Sequence, residues 1–447
     1  MKYLNDNNLF NPTQHGFRQG RSCLSQLLSH YDSILSKLEE GKEVDVIYLD
    51  FSKAFDKVDH EILLSKLKSI GIRGKLLTWI KSFLKNRNQI VFVDGHGSYE
   101  AKIKSGVPQG SVLGPLFFII MIADIDEKTN KTELSSFADD TRVMKAIRDI
   151  LDQFFLQGDM NNIYKWSDQN NMMMNGNKFE HLHYGNTFKC SYFTGDGKVI
   201  ESKCEVKDLG ITLSDDATFH QHIINTVKKA QILVGWILRT FNSRDQGLML
   251  TLWKSLVIPH LDYCLQVWSP KESKFIQLIE DVQKSFTRKI KGLCNQDYWE
   301  RLKSLKLYSL QRRRERYIII YTWCMLENLV PSIDSINSYH SPRQGRKCYI
   351  SLVQRGPWQK HIYASFRMQG PRLFNTLPNT LRNLTGCSKD KFKTELDKYL
   401  FRIPDEPLMP GYTMMRRSES NSIINMKQYI GPLRMDASRL FHAQIYE

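Results

Sequence analysis

The stretch SSFADDTRV, residues 135–143, constrains this chain more than any other. Leu134 and Phe137 precede the adjacent Asp139 and Asp140, and Val143 and Met144 follow them. That apolar pattern is a core hairpin, with small Ala138 at the turn and strand-favouring Thr141 beyond it. Two neighbouring carboxylates repel each other, and burying either is unfavourable unless positive charge compensates. A strand–turn–strand lifts both onto the hairpin tip. Asp50, at the end of the β-rich run VDVIYLDF, reaches the same edge. Three acidic groups gathered there call for cations. Mg²⁺ is the hard, oxygen-seeking ion that binds through few carboxylates plus substrate phosphates, with Mn²⁺ the alternative. Two such ions about 3.5–4 Å apart activate an attacking hydroxyl and stabilise a departing pyrophosphate. By itself a DD pair in a turn is weak support, because Asp is common in turns.

Charge narrows the class of partner. The chain has 447 residues and a formal charge of +16, with a pI near 9.3. Between Lys284 and Tyr317 stand eleven basic and three acidic residues, interleaved with Phe286, Tyr298, Trp299 and Tyr308. Concentrated cationic surface with aromatics suits nucleic acid, and a solvated amphipathic helix pair is the plainer reading. The eight cysteines are scattered without metal-binding spacing, which predicts reduced thiols in an intracellular, soluble protein. His181 with His183, and His220 with His222, alternate on strand or cap positions and read as ordinary histidines rather than zinc ligands. The runs LFFIIMI and YIIIYTWCML are too short to span a bilayer, and MKYLNDNNLF is no signal peptide. No membrane association is expected.

Periodicity divides the chain in two. A helix with Leu27, Leu28, Tyr31, Ile34, Leu35 and Leu38 on one face stops at Gly41. The strand ending at Asp50 follows. KAFDKVDHEILLSKLKSIG is a helix stopped at Gly71, and GKLLTWIKSFLKN is a second. QIVFVDGHGSYEAKIKSG is a hairpin turning at Asp94-Gly95, and SVLGPLFFIIMIADI is a helix after a Gly-rich turn. The FADD hairpin and another helix complete an α+β sheet domain to about residue 190. Beyond residue 215 the chain reads as mainly helical.

The segments YLDFSKAFDKVDH, SGVPQGSVLGPLFF and FADDT, in that order and at these separations, resemble the palm motifs of a reverse transcriptase. They most resemble those of non-LTR (LINE-type, jockey-like) retrotransposons. QHGFRQGRS is similar to that family's fingers motif, WSDQNNMMMNGNKFEHLHYG to its next palm segment, and KDLGITLSDDATFHQHI to its primer grip and start of the thumb. The resemblance covers roughly residues 11–400. It implies a right-hand polymerase with RNA template, DNA primer and deoxynucleotide triphosphates as partners. Fingers (partial) and palm would occupy residues 1–190, a primer-grip-like hairpin 191–215, a helical thumb 216–300, and a basic helical region 301–405. No fold is expected for the tail 406–447.

Residue by residue, the resemblance makes Asp50, Asp139 and Asp140 the metal-binding triad, with the Phe51 carbonyl as a further ligand. Phe55 would face the incoming sugar, where a ring excludes a 2′-hydroxyl; a core aromatic against Ile62 is the structural alternative. Gln109 and Gly110 would meet the nucleotide or templating base, and Ser111 would cap the next helix. Arg18 and Arg21 would contact phosphates, and Gly210 would sit in the primer grip. Lys178 would protonate the leaving pyrophosphate, although Phe179 stands where the family usually has a hydroxyl residue. The chain opens just before QHGF, without the family's earlier fingers segment or an upstream endonuclease, so a truncated copy is expected. A catalytically inactive nucleic-acid-binding remnant is the alternative.

Overall fold

The computed structural model describes residues 2–7, 9–407 and 421–426. Its centre is a five-stranded sheet. In chain order the strands are β1 (Glu43–Leu49), β2 (Glu133–Phe137), β3 (Asp140–Ile147), β4 (Glu180–Tyr184) and β5 (Ser202–Lys203), arranged β5-β4-β1-β3-β2. All neighbours run antiparallel except β5 beside β4. β1 lies in the middle and is buried along nearly its whole length, as its continuous apolar run requires.

The two faces of the sheet feed separate cores. Ile47, Leu49 and Val143 pack with four helices, α2 (His60–Ser69), α3 (Gly74–Leu84), α4 (Leu113–Met121) and α5 (Ile150–Gln169). Val44, Val46, Met144 and Leu182 pack with α1 (Cys23–Glu39) and the helical second half of the chain. That half includes α6 (His220–Thr240), α7 (Ser273–Thr287), α8 (Leu310–Leu326), α9 (Phe366–Thr376) and α10 (Lys389–Leu400). The cap chemistry is where the sequence puts it. Ser22 and Ser25 form a capping box on α1, Asp59 accepts from Glu61 and Ile62 on α2, and Gly41 and Gly71 take positive φ just past α1 and α2.

Several expectations change. The segment after Asp50 is not one helix: Ala54–Asp56 makes a single 3₁₀ turn, and α2 begins only at His60. Residues 191–215 are not one hairpin but two, Tyr192–Phe193 with Val199–Ile200 and Glu205–Asp208 with Ile211–Ser214, separated by β5. The hairpin at Asp94-Gly95 forms as expected, yet Phe92 and Tyr99 stand in solvent rather than in a core. Of the tail, residues 408–420 and 427–447 lie outside the described residues, whereas Asn421–Met426 is ordered, with Asn421, Ile423 and Met426 buried against the C-terminal helices.

The arginines of the basic run, Arg288 apart, turn inward. Arg312 is fully buried and donates to the carbonyls of Leu400, Ile403, Pro404 and Asn421. Arg313 pairs with Asp262, and Arg316 forks onto Asp397 with two 2.6 Å bonds. Arg301 donates to the carbonyls of Lys284 and Gln296. These side chains hold helices together and are not a surface for polyanions. The exposed cations of the run are Lys284, Arg288, Lys289, Lys291, Lys303 and Lys306. Among the described residues no helix is long and apolar enough to cross a membrane.

Replacing Arg312 with Ala strips four buried carbonyls and Asp405 of their cation, and should destabilise the chain by about 3–5 kcal/mol in urea unfolding. A loss below about 1 kcal/mol would contradict this role.

Candidate active site

The sheet register brings the acidic residues together. Leu49 on β1 pairs with Thr141 on β3, so the next residues outward, Asp50 and Asp140, leave the sheet side by side at the same edge. Asp139 belongs to the two-residue turn between Phe137 and Asp140. Beyond Asp50 the chain pairs with residues 173–175: Ser52 N donates to Met173 O at 2.8 Å and Asn175 N to Asp50 O at 2.9 Å. This pairing delivers Lys178, on the 3₁₀ turn Gly176–Lys178, to the edge. Its ammonium stands 3.2 Å from Asp50 Oδ2.

The turn itself is strained and clamped. Ala138 takes φ 56°, a left-handed conformation that a residue with a Cβ rarely adopts. Gln14 holds it from both sides. Gln14 Oε1 accepts from Ala138 N at 2.8 Å and from Gly16 N at 2.7 Å, and Gln14 Nε2 donates to Ala138 O at 3.2 Å. A Cβ at position 16 would stand 2.3 Å from Ala138 N, so only glycine lets this loop approach. QHGF is therefore the brace of the FADD turn, and Gln14 is a site residue that spacing alone did not reveal.

Arg142 is the second such residue. Two positions along β3 from Asp140, it is buried in an ion pair with Asp208 of the following hairpin. Its charge lowers the pKa of Asp140, against a larger desolvation that raises it and the repulsion of Asp139 and Asp50. Asp139 is likewise raised, first by desolvation and then by Asp50, with Lys178 opposing. Burial pushes Asp208 up to about 6, Arg142 opposing. Asp50, Asp140, Arg142 and Lys178, with Lys198 and Lys207, line an open cleft of about 630 Å³.

The remaining predicted residues divide. Phe55 is not in a helix. It stacks on Phe118 with ring centroids 4.3 Å apart and meets Phe17 edge-on at 6.0 Å; neither partner is the expected Ile62. Gln109 is exposed, and its Nε2 donates to Asp56 Oδ1 at 2.8 Å. Gly110 takes φ 80° with open space around it. Ser111 Oγ accepts from Gly114 N at 3.0 Å, capping α4 as expected. The side chain of Phe51 packs against Trp166. Gly210 has φ 84° in the turn of the second hairpin, where Tyr263 donates to Leu209 O at 2.8 Å. Arg18 and Arg21 grip their own loop: Arg18 donates to Asn11 O, and Arg21 to Pro12 O and Gln14 O. Both hold the loop that carries Gln14.

The acidic edge fits a divalent cation. Asp50 Oδ2 is buried with only the exposed Lys178 ammonium, 3.2 Å away, to meet it, and desolvation and mutual repulsion disfavour the charges of Asp139 and Asp140. A positive ion would relieve all three. An acidic sheet edge bordered by a basic cleft has the chemistry to hold divalent cations beside phosphate groups.

Comparison with known proteins agrees. Residues 1–213 match the family of reverse transcriptases (RNA-dependent DNA polymerases). The RNA-directed DNA polymerase of the Drosophila melanogaster mobile element jockey is 31% identical over 291 residues, covering 62% of this chain and 32% of the relative. The probable polymerase of the Drosophila melanogaster X-element is 28% identical, again over 62% of this chain and 32% of its own length. The chain thus spans about a third of the length of these curated relatives. Among solved structures, apo telomerase from Candida tropicalis aligns with a TM-score of 0.40 at 12% identity, over 68% of this chain and 52% of that one. The first half of the chain is thus similar to the reverse transcriptases of non-LTR retrotransposons such as jockey.

Because the pKa of Asp139 is raised in the fold, its charge weakens the metal-free chain at neutral pH, and that penalty disappears as pH falls below the ordinary carboxylate range. Asp139→Asn should therefore raise the melting temperature in chelator at pH 7, with the gain shrinking on acidification. A gain that grows as pH falls would contradict the sign. Gln14→Ala should speed amide exchange at Ala138 far more than at the centre of β1, measured by hydrogen exchange.

Proposed function

We propose that this chain is an RNA-directed DNA polymerase, extending a DNA primer on an RNA template with deoxynucleotide triphosphates. The observation that carries this reading is the convergence of Asp50, Asp139 and Asp140 on one sheet edge, with a buried Asp50 oxygen met only by the exposed Lys178 ammonium. In this reading residues 1–190 are fingers and palm, the hairpins within 191–215 meet the primer, and the helices of 216–300 are the thumb.

Asp50, Asp139 and Asp140, with the Phe51 carbonyl, would hold two Mg²⁺ ions, or Mn²⁺. Bound there, the ions supply Lewis-acid charge to the attacking primer hydroxyl and to the departing pyrophosphate. The chain's own groups do the rest. Arg142, held by Asp208, opposes the desolvation and repulsion that disfavour the charge of Asp140. Lys178, whose side chain is largely exposed and held to Asp50 by one ion pair, would offer its proton to the leaving pyrophosphate. Phe55, held by Phe118 and Phe17, presents its ring to the sugar, so a 2′-hydroxyl clashes. Gln109, restrained by Asp56, and the open backbone at Gly110 meet the nucleotide. Gly210 allows the second hairpin's turn to approach the primer end. The exposed cations between Lys284 and Lys306 contact nucleic-acid backbone, a salt-sensitive contribution.

Primer extension on an RNA template should require Mg²⁺ and vanish in Asp139→Asn. Phe55→Val should let ribonucleotides in while leaving deoxynucleotide incorporation measurable. A parent chain giving no Mg²⁺-dependent product would leave a nucleic-acid-binding remnant, and a preference for ribonucleotides in the parent would point to RNA synthesis instead.

A further inference from the structure

On the sheet face that packs against α5, a second polar cluster lies five residues back along β1 from Asp50. Asp45 is fully buried, and the strand register sets it opposite His183 on β4. His181, two residues earlier on β4, shares the same face and is also buried. Both imidazoles address one carboxylate oxygen. His181 Nε2 is 2.8 Å and His183 Nδ1 is 2.6 Å from Asp45 Oδ1. Their ligand atoms and that of Asp45 all lie within 4.8 Å of one another. Among the described residues no other trio of His, Cys, Asp and Glu gathers so closely.

We infer that Asp45, His181 and His183 form a zinc site that ties the two central strands to the segment following β4. The surroundings are those of metal-bound histidine. His183 Nε2 stands 3.3 Å from Glu43 Oε2, and Glu43 is itself fixed by the backbone N–H groups of Asn186, Thr187 and Phe188 at 2.7–2.9 Å. Glu43 stands within ion-pair range of Nε2, so a proton held on that side leaves the Nδ1 lone pair facing Asp45, the outer-shell arrangement that orients metal-binding imidazoles. With its proton on Nδ1 the ring hydrogen-bonds Asp45 at 2.6 Å; with the proton on Nε2 both facing atoms are acceptors, which a cation between them would join. Tyr192 donates to the other oxygen of Asp45, leaving Oδ1 to the two rings.

The donor set selects the ion. Two nitrogens and one carboxylate oxygen suit Zn²⁺ with an open fourth position, whereas Mg²⁺ prefers oxygen alone. The half-buried Cys190 thiol interacts with Asp45 but lies outside the trio. Burial beneath α5 removes the trio from the open cleft, so the ion acts as a strut. It locks β1 to β4, the strands that lead to Asp50 and from Lys178. The alternating histidines looked ordinary in the sequence because the third ligand comes from a strand 136 positions away.

The test uses the full chain, stripped with chelator, returned to excess Mg²⁺, and given stoichiometric Zn²⁺ before dialysis. Metal analysis should find zinc retained mole for mole, with a higher melting temperature than the Mg²⁺ form. Asp139→Asn should retain it equally, whereas His183→Gln and Asp45→Asn should lose it. X-ray absorption at the zinc edge of the parent, which needs no variant to fold, should show imidazole scattering. Zinc lost from the parent on dialysis, zinc lost in Asp139→Asn, zinc kept in His183→Gln, or a spectrum without imidazole would each overturn the site.

Discussion

Everything at the acidic edge rests on one unfavourable arrangement, three carboxylates with partly stripped solvation held within range of one another's charge. Such an arrangement does not stabilise a fold by itself. It persists because the sheet over-determines it. β1 and β3 pair over seven residues, and their register leaves no freedom in where Asp50 and Asp140 emerge. The left-handed Ala138 adds local strain, offset by the Gln14 amide, which bonds the turn's N–H and C=O and the N–H of Gly16. The backbone carries the constraint and the side chains carry the charge.

The cations near this edge have different duties. Arg142 is committed to Asp208 and acts on Asp140 through a fixed field. Lys178 is mostly exposed and bound to Asp50 by one ion pair, a contact easily exchanged in water. A fixed positive group preserves the charge of a ligand, while a mobile one can yield its place to an incoming ion. The basic run of the second half follows the same division. Its arginines, Arg288 apart, fork onto carboxylates and carbonyls inside the helical layers, and its lysines stay in solvent.

Local signals were legible in the sequence. Alternating apolar residues around FADD predict the hairpin, helical spacing predicts α1 and α6, and Gly41, Gly71 and Asp94-Gly95 mark the stops and the turn. The acidic trio was legible too, as two short strands ending in carboxylates. What stayed hidden is long-range pairing. Gln14 meets Ala138 across 124 positions, Arg142 meets Asp208 across 66, and Arg316 meets Asp397 across 81. Charge counting treated every arginine as surface, and only tertiary partners turn Arg312, Arg313 and Arg316 inward. The single 3₁₀ turn at Ala54–Asp56 escaped for a related reason. Helical spacing continues through it, but Val107 N bonds to Phe55 O and Gly106 N to Val58 O, tying this stretch to the glycine-rich loop instead of to a helix.

The most direct test is a manganese titration followed by electron paramagnetic resonance, on the chain with primer–template and nucleotide bound. The account predicts a spin-coupled pair of Mn²⁺ ions at the edge, with the coupling lost in Asp50→Asn as well as in Asp140→Asn, because both strands supply ligands to the same pair. Isolated Mn²⁺ signals in the parent, or coupling that survives removal of Asp50, would show that the two strand ends do not share a site.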